Sequence, residues 1–553
     1  MGHAACGSVE VGVWTKASDF AEYRVRSPGL CTCVCTAEAV SDSLGAHPTG
    51  IGMLELANAT GSLGPTLLGT AFAPAGSFAQ CTANALVALR KRHAAPIAHR
   101  VRHDFACNNL LRLTSLLQHH YRDYISMTPE QWRVGKATAK LDRIDHSVVH
   151  DARAFHRGQM MIKQEPTTQH VTAPLAFKKP RGIQFTVNER SSYEYAMEYA
   201  AFSNALAAVS EIAEDIGGVT FEIRYSAKMN HEQIGEFVTE CENLRRRYCW
   251  SCIDERDGRN WDSNIQVRHR TALCEVYDLL STDLGKHARS GIEIRSVHRS
   301  KCGGNVQYTV CGTVKSGHPD TSSGNSALNR EISMQAISNL PAHLKPRLVR
   351  GLVMGDDYIA WLYFDHPVDP VELAAALFNN EQALGIDPKR GIFDDVRCAS
   401  FISLGFYRSV VGTIIALPKP GRLLCRLFWT CTALQGRDPK RLAAGIAEAF
   451  MPLYSTCTFM RDFLAVHLDV PALGGRELCP GYLWSEMGLQ RLPEPIDWAE
   501  NHLVKYGVDA ALLDLRELRH IGRALCHHPV VTHMYAVDTS DPDERRGCVS
   551  RSM

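Results

Sequence analysis

The chain has 553 residues, 45% hydrophobic and 22% charged, ordinary values for a globular protein of two to four domains or subdomains. Formal net charge is +1, which excludes a nucleic-acid surface built on a general basic excess; such a surface has to come from local clusters of Lys and Arg. No run of about 18 strongly apolar residues appears, so no transmembrane helix is expected, and no 20- to 50-residue period suggests a solenoid.

The first residues, Met1-Gly2-His3-Ala4-Ala5-Cys6, approach a lipidation signal but carry Cys6 where Ser or Thr is required. No signal peptide opens the chain, and its 19 cysteines are scattered, which points to an intracellular protein with reduced thiols. Cys31, Cys33 and Cys35 alternate like the faces of a strand, a poor zinc pattern. Leu56 to Leu89 carries no charge but is broken by glycines and prolines, as in a packed, irregular wrapping segment. Basic residues then gather at Arg90, Lys91, Arg92, His93, Arg100 and Arg102, and again at Lys178-Lys179-Pro180-Arg181 ahead of a helix expected over Tyr193–Val209.

From about 245 to 410, short apolar strands end in acidic turns and alternate with helices. Gly291 to Val310 holds two strand-like runs separated by Lys301, Gly303 and Gly304. A helix begins near Thr321 at a Ser/Thr-rich cap and stops before Pro341. Leu348 to Phe364 reads as two strands joined at Gly355-Asp356-Asp357. After about 411 helices are expected over Pro439–Met451, Phe459–Leu468, Ile496–Lys505 and Ala510–Leu525, with a loose polar tail from Asp538.

Four segments carry candidate chemistry. Asp356 and Asp357 sit at a hairpin tip, where two adjacent carboxylates need a cation to offset their repulsion. The apolar run Cys249 to Ile253 leads into an acidic turn with Asp257 and Asp262, a second strand able to bring a carboxylate to the same ions. Asp254 ends that apolar run more cleanly and rivals Asp257, although spacing to Asp262 favours Asp257. Cys249 and Cys252 are expected as buried small hydrophobes rather than a metal pair. Ser316, Gly317, Thr321 and Asn325 line a loop and helix start suited to a nucleotide's sugar and phosphate. Lys178, Lys179 and Arg181 are cations that could compensate a triphosphate.

The order of these segments resembles the catalytic motifs of positive-strand RNA virus RNA-dependent RNA polymerases, particularly the tombusvirus- and nodavirus-like groups. A basic strand, Lys179-Pro180-Arg181-Gly182-Ile183-Gln184, comes first. Asp257 and Asp262 match an Asp-x4-Asp turn, Ser316, Gly317, Thr321 and Asn325 a Ser-Gly-x3-Thr-x3-Asn motif, and residues 355–357 the Gly-Asp-Asp. The intervals are 59 residues from Asp257 to Ser316 and 40 from Ser316 to Asp356. Gly385 to Lys389 looks like the next motif, whose lysine protonates pyrophosphate, and Cys398 to Ser403 like a primer-grip strand. The resemblance is specific over about 178–405.

That resemblance implies an α+β right-hand polymerase with an antiparallel palm sheet backed by helices. An N-terminal extension and fingers would cover 1–177, and fingers with a nucleotide-entry motif 178–247. The palm with an interleaved fingers segment would cover 248–410, a helical thumb 411–537 and a flexible tail 538–553. It implies two Mg²⁺ or Mn²⁺ ions on Asp257, Asp356 and Asp357, with RNA template and product and nucleoside triphosphates as partners. Membrane and other replication proteins, in the host cytoplasm at membrane-associated replication complexes, are further expectations. The alternatives are a reverse transcriptase and a non-catalytic RNA-binding replication protein with a degenerate palm. Asp262 stands where reverse transcriptases usually carry a bulky aromatic, which favours ribonucleotides.

Overall fold

The computed structural model describes residues 189–299, 305–430, 438–468, 494–509 and 529–545 continuously, together with short segments before residue 187, Leu525–His527 and residue 547. Lys178, Lys179 and Arg181, the basic residues between Arg90 and Arg102, the Cys31–Cys35 alternation and residues 510–524 lie outside the described residues.

The fold is mixed α and β around a mixed sheet, compatible with the α+β expectation. In chain order, helix α1 (Glu189–Val209) leads to strands β1 (Glu214–Ile216) and β2 (Val219–Tyr225), then α2 (His231–Leu244) and β3 (Trp250–Gly258). Helices α3 (Val267–Leu280), α4 (Thr282–Ser290) and α5 (Thr321–Ser338) follow. The hairpin β4 (Leu348–Met354) and β5 (Asp357–Phe364), helix α6 (Pro370–Ala383) and β6 (Pro388–Phe393) complete the sheet. Its order is β1-β2-β4-β5-β3-β6, parallel between β2 and β4 and antiparallel elsewhere.

Both faces of this sheet are covered, which is why β5 is an unbroken apolar run with no polar side chain after Asp357 except its tyrosines. Tyr358, Ala360, Leu362 and Phe364 pack with Met334, Ile337, Leu373 and Leu377 of α5 and α6. Ile359, Trp361 and Tyr363 pack on the other face with Ile234, Phe237 and Val238 of α2. A separate core joins α1, α3, α4 and α5 through residues such as Phe202, Leu273, Tyr277 and Leu328.

The two runs expected within Gly291–Val310 are the antiparallel strands Glu293–His298 and Asn305–Cys311, placed in a second, seven-stranded sheet. The boundary expected near 411 falls inside a hairpin, Leu404–Arg408 with Ile414–Pro418, so strand pairing continues beyond it. Helices then follow at Pro420–Arg426, Pro439–Phe450, Thr458–Ala465, Trp498–Tyr506 and Pro529–Thr539. Leu525, expected as a helix end, opens a short strand. Cys252 is a buried free thiol as expected, whereas Cys249 is exposed, because it precedes the strand and its sheet cover. Among the described residues, no helix is long and apolar enough to cross a membrane.

Candidate active site

The β4–β5 hairpin turns at Gly355-Asp356, with Met354 paired to Asp357. Gly355 has φ +63°, a backbone state that a side chain would disfavour. Helix α5 grips this turn from below: the Gly355 N–H donates to Ser326 Oγ (2.7 Å), and Asn329 Nδ2 donates to the Gly355 carbonyl (3.0 Å). Asp356 is thereby presented to solvent at the tip, and Asp357 is half-buried behind it.

Strand β3 runs between β5 and β6, pairing Arg256 with both Tyr358 and Arg390. One residue further, Asp257 reaches the level of Asp357 and faces Lys389 across the β3–β6 ladder; Lys389 Nζ lies 4.0 Å from Asp257 Oδ2. Burial pushes the Asp257 carboxyl up to about 6, and the negative charge of Asp356 adds to that push, while Lys389 opposes it. Asp357 is driven well above the carboxylate range by burial first, then by Asp356 and Asp257. Burial and neighbouring negative charge at one end of the sheet therefore raise both Asp257 and Asp357.

Asp254 does not join them. Residues three apart on a strand point to opposite faces, and Asp254 lies on the face of Arg256 and Arg390. There it is 1% exposed and ion-paired with Arg390. Glu381 of α6 links Arg390 and Arg256, each at 2.5 Å, and Arg256 also donates to Ser333 Oγ (3.0 Å) and to Asn329. Asp254 is thus one member of a buried, internally neutralised network, and Asp257 is the carboxylate at the open end.

The acidic turn after β3 is tied to the loop before α5. Ser316 Oγ donates to Asp262 Oδ2 (2.7 Å), and the Val314 N–H donates to the Asp262 carbonyl (2.9 Å). Thr321 Oγ1 lies within bonding reach of the carbonyls of His318 (2.7 Å) and Lys315 (2.9 Å), closing the loop. Gly317 is exposed at its tip. Asn325, one turn into α5, is buried, and its Oδ1 has no hydrogen-bond partner among the described residues.

A cavity of about 320 Å³ opens beside the carboxylates. Its lining includes Glu255, Asp257 and Asp357 together with Ser403, Lys419, Arg422 and Arg426. Burial, then the charge of Arg545, lowers the Lys419 ammonium to about 7. The remaining wall is the C-terminal segment, which was expected to be loose from Asp538 onward. Residues 538–545 are instead docked. Asp538 is buried and accepts from Tyr506 OH (3.0 Å) and the Arg422 N–H (3.1 Å). Asp541 pairs with Lys389 (2.8 Å), and Arg545 with Glu255 (2.6 Å). The polar composition that suggested a free tail is the means of attachment, because Asp541 and Arg545 each meet an opposite charge on the sheet.

The structure therefore gathers Asp257, Asp356, Asp357 and Lys389 at one end of the sheet, and joins Asp262 to Ser316 nearby. Glu255, Ser326, Asn329, Lys419, Arg422, Asp541 and Arg545 complete the surroundings. Of these, only the Asp541-to-Glu544 capping box left a local sequence signal. Among the described residues, no group of three or more His, Cys, Asp or Glu converges as a ready metal cage. What fits a cation is the charge itself: Asp257 and Asp357 are raised by burial and then by like-charged neighbours, and Lys389 is shared with Asp541. No protein-family model matches the chain, and no curated protein matches it.

Proposed function

We propose that this chain is an RNA-dependent RNA polymerase of the kind encoded by positive-strand RNA viruses, copying an RNA template from nucleoside triphosphates. On this reading the β1–β6 sheet is the palm of a right hand, flanked by fingers and a C-terminal thumb. The observation that carries it is the register that brings Asp257 level with the Asp356-Asp357 turn, while Ser316 bonds Asp262 five residues further along.

The reaction is attack by a strand's 3′-hydroxyl on the α-phosphate of a nucleoside triphosphate, releasing pyrophosphate. Two Mg²⁺ or Mn²⁺ ions, when bound, favour the hydroxyl's ionisation and neutralise charge on the phosphates. Asp257, Asp356 and Asp357 are the carboxylates that would hold them. Lys389 would give a proton to the leaving pyrophosphate, and Lys178, Lys179 and Arg181, outside the described residues, would compensate the triphosphate. Asp262, Ser316, Thr321 and Asn325 read the ribose, the orphaned Asn325 Oδ1 being an acceptor that a hydroxyl could satisfy. Work at membrane-associated replication complexes in a host cytoplasm follows from the same reading.

Primer extension by the purified chain on an RNA template, with ribo- and deoxyribonucleotides in parallel, is the direct test. Template-dependent incorporation of ribonucleotides, lost in a folded Asp356→Asn variant, is expected. A deoxyribonucleotide preference makes the chain a reverse transcriptase. RNA binding without incorporation makes it a non-catalytic replication protein.

A further inference from the structure

Beneath the Ser316-Gly317 loop lies a buried group of charged and aromatic side chains that the reaction does not touch. Asp320 occupies the position before the first turn of α5, where an aspartate ordinarily accepts a hydrogen bond from the helix's own N–H groups. Its side chain makes no such cap. It turns sideways instead: Oδ2 accepts from Arg270 Nη1 (2.9 Å) and, at longer range, from Tyr277 OH (3.4 Å), and Oδ1 accepts from His318 Nδ1 (2.6 Å).

All four residues are buried. The His318 ring stacks on His287 with centroids 5.3 Å apart and meets the edge of Tyr199, and Tyr199 OH lies 3.0 Å from His287 Nδ1. Gly324 keeps room for the cluster: a Cβ there would come within 2.9 Å of Leu273 Cδ2, 3.0 Å of Tyr277 OH and 3.2 Å of Asp320 Oδ2.

The geometry points to Asp320, held by Arg270 and His318, as a positioning residue that sets Ser316 against Asp262 and so governs which sugar the site accepts, a role that rests on the polymerase reading above. Ser316 and His318 are two residues apart on one loop, and they are anchored in different places. The serine hydroxyl goes outward to Asp262 and the imidazole inward to Asp320. The His318 N–H also closes a turn on the Lys315 carbonyl at 2.7 Å. Movement of His318 is therefore carried to the Ser316-Gly317 peptide. A forsaken helix cap is the sign that Asp320 serves the loop more than the helix. Arg270 comes from α3, so the loop's position is referred to a packed helix.

The test is primer extension with the full chain, comparing the ribo-to-deoxyribonucleotide ratio of kcat/KM in the unmodified enzyme, Asp320→Asn and Gly324→Ala, with thermal unfolding measured alongside. Gly324→Ala leaves every charge in place and crowds Leu273, Tyr277 and Asp320. Both folded variants are expected to narrow the ratio roughly 5- to 100-fold, the range that follows from a misplaced hydroxyl-reading group, while incorporating ribonucleotides measurably. An unchanged ratio in either folded variant overturns the positioning role and leaves the polymerase reading intact. Failure of both variants to fold assigns the cluster to folding alone and overturns it as well. Absence of incorporation by the unmodified chain overturns both readings together.

Discussion

The Lys389 ammonium stands 2.8 Å from the Asp541 carboxylate, closer than the 4.0 Å that separates it from Asp257. Its role as proton donor would reside in the lysine, whereas the Asp541 contact only holds it from the C-terminal segment. Lys389→Ala should slow single-turnover incorporation by about 10²–10⁴-fold, the usual worth of a positioned acid. Asp541→Ala should cost about 1 kcal/mol or less in stability, because 37% of its side chain is exposed and the pair is screened. A rate loss for Asp541→Ala as large as for Lys389→Ala would show the pair, and not the lysine, to be the working unit.

Asp254 and Asp257 should separate cleanly. Removing Asp254 leaves Arg390 and its neighbours with one buried charge uncompensated, a loss of about 3–5 kcal/mol. Removing Asp257 takes away a carboxyl whose charge burial and its acidic neighbours disfavour, and relieves its repulsion on Asp357. Asp254→Ala should therefore appear chiefly as lost stability, and Asp257→Ala as an inactive protein whose metal-free melting temperature equals or exceeds that of the unmodified chain. Calorimetry in a chelator, paired with primer extension, checks both. A stable but inactive Asp254→Ala would reverse the assignment.

Asn329 is expected to matter to the hairpin through its contacts behind the turn. It donates to the Gly355 carbonyl and receives Arg256, so its loss frees the turn and orphans part of a buried guanidinium. Asn329→Ala should cost about 1–3 kcal/mol, the penalty for a buried polar group left unsatisfied. It should also reduce incorporation more than the matched Ser326→Ala, which removes one neutral acceptor. Urea unfolding and single-turnover rates give the two numbers; equal, negligible effects would mean that the turn holds without α5.

Acid should weaken the fold through His269. The Gln266 N–H donates to its Nδ1 (3.0 Å), so its proton sits on Nε2 and is given to the Leu384 carbonyl (2.9 Å). Burial lowers this histidine from 6.5 to about 4. Its contribution is complete above pH 6.5 and is lost as pH falls toward 4, because the unfolded chain takes the proton first. The slope is about 1.4 kcal/mol per pH unit, or about 3 kcal/mol in all. His269→Gln can keep both hydrogen bonds without titrating, so the stability gap between the two proteins should shrink at that slope between pH 6 and 5. A constant gap would mean that the buried ring does not take part in the acid response.

By itself the sequence determined the local elements of the site. Apolar runs flanking Gly355-Asp356-Asp357 made the hairpin, the hydroxyl-rich start and Pro341 bounded α5, and an apolar strand delivered Asp257. These depend on residues within a few positions of one another, through steric preference, strand alternation and capping, and such causes are written in short stretches of chain. Alternation even separates Asp254 from Asp257, since they must face opposite ways. Which of those faces is open was decided only when α6 brought Glu381 to Arg390 and Arg256 on one side, and residues 538–545 brought Asp541 and Arg545 to the other. Asp254 and Arg390 are 136 positions apart, and Arg545 and Glu255 are 290 apart. A charge does not encode its partner at that distance. Whether it is neutralised in the interior, left to hold a ligand or used to dock a tail depends on which distant segment packing carries to it.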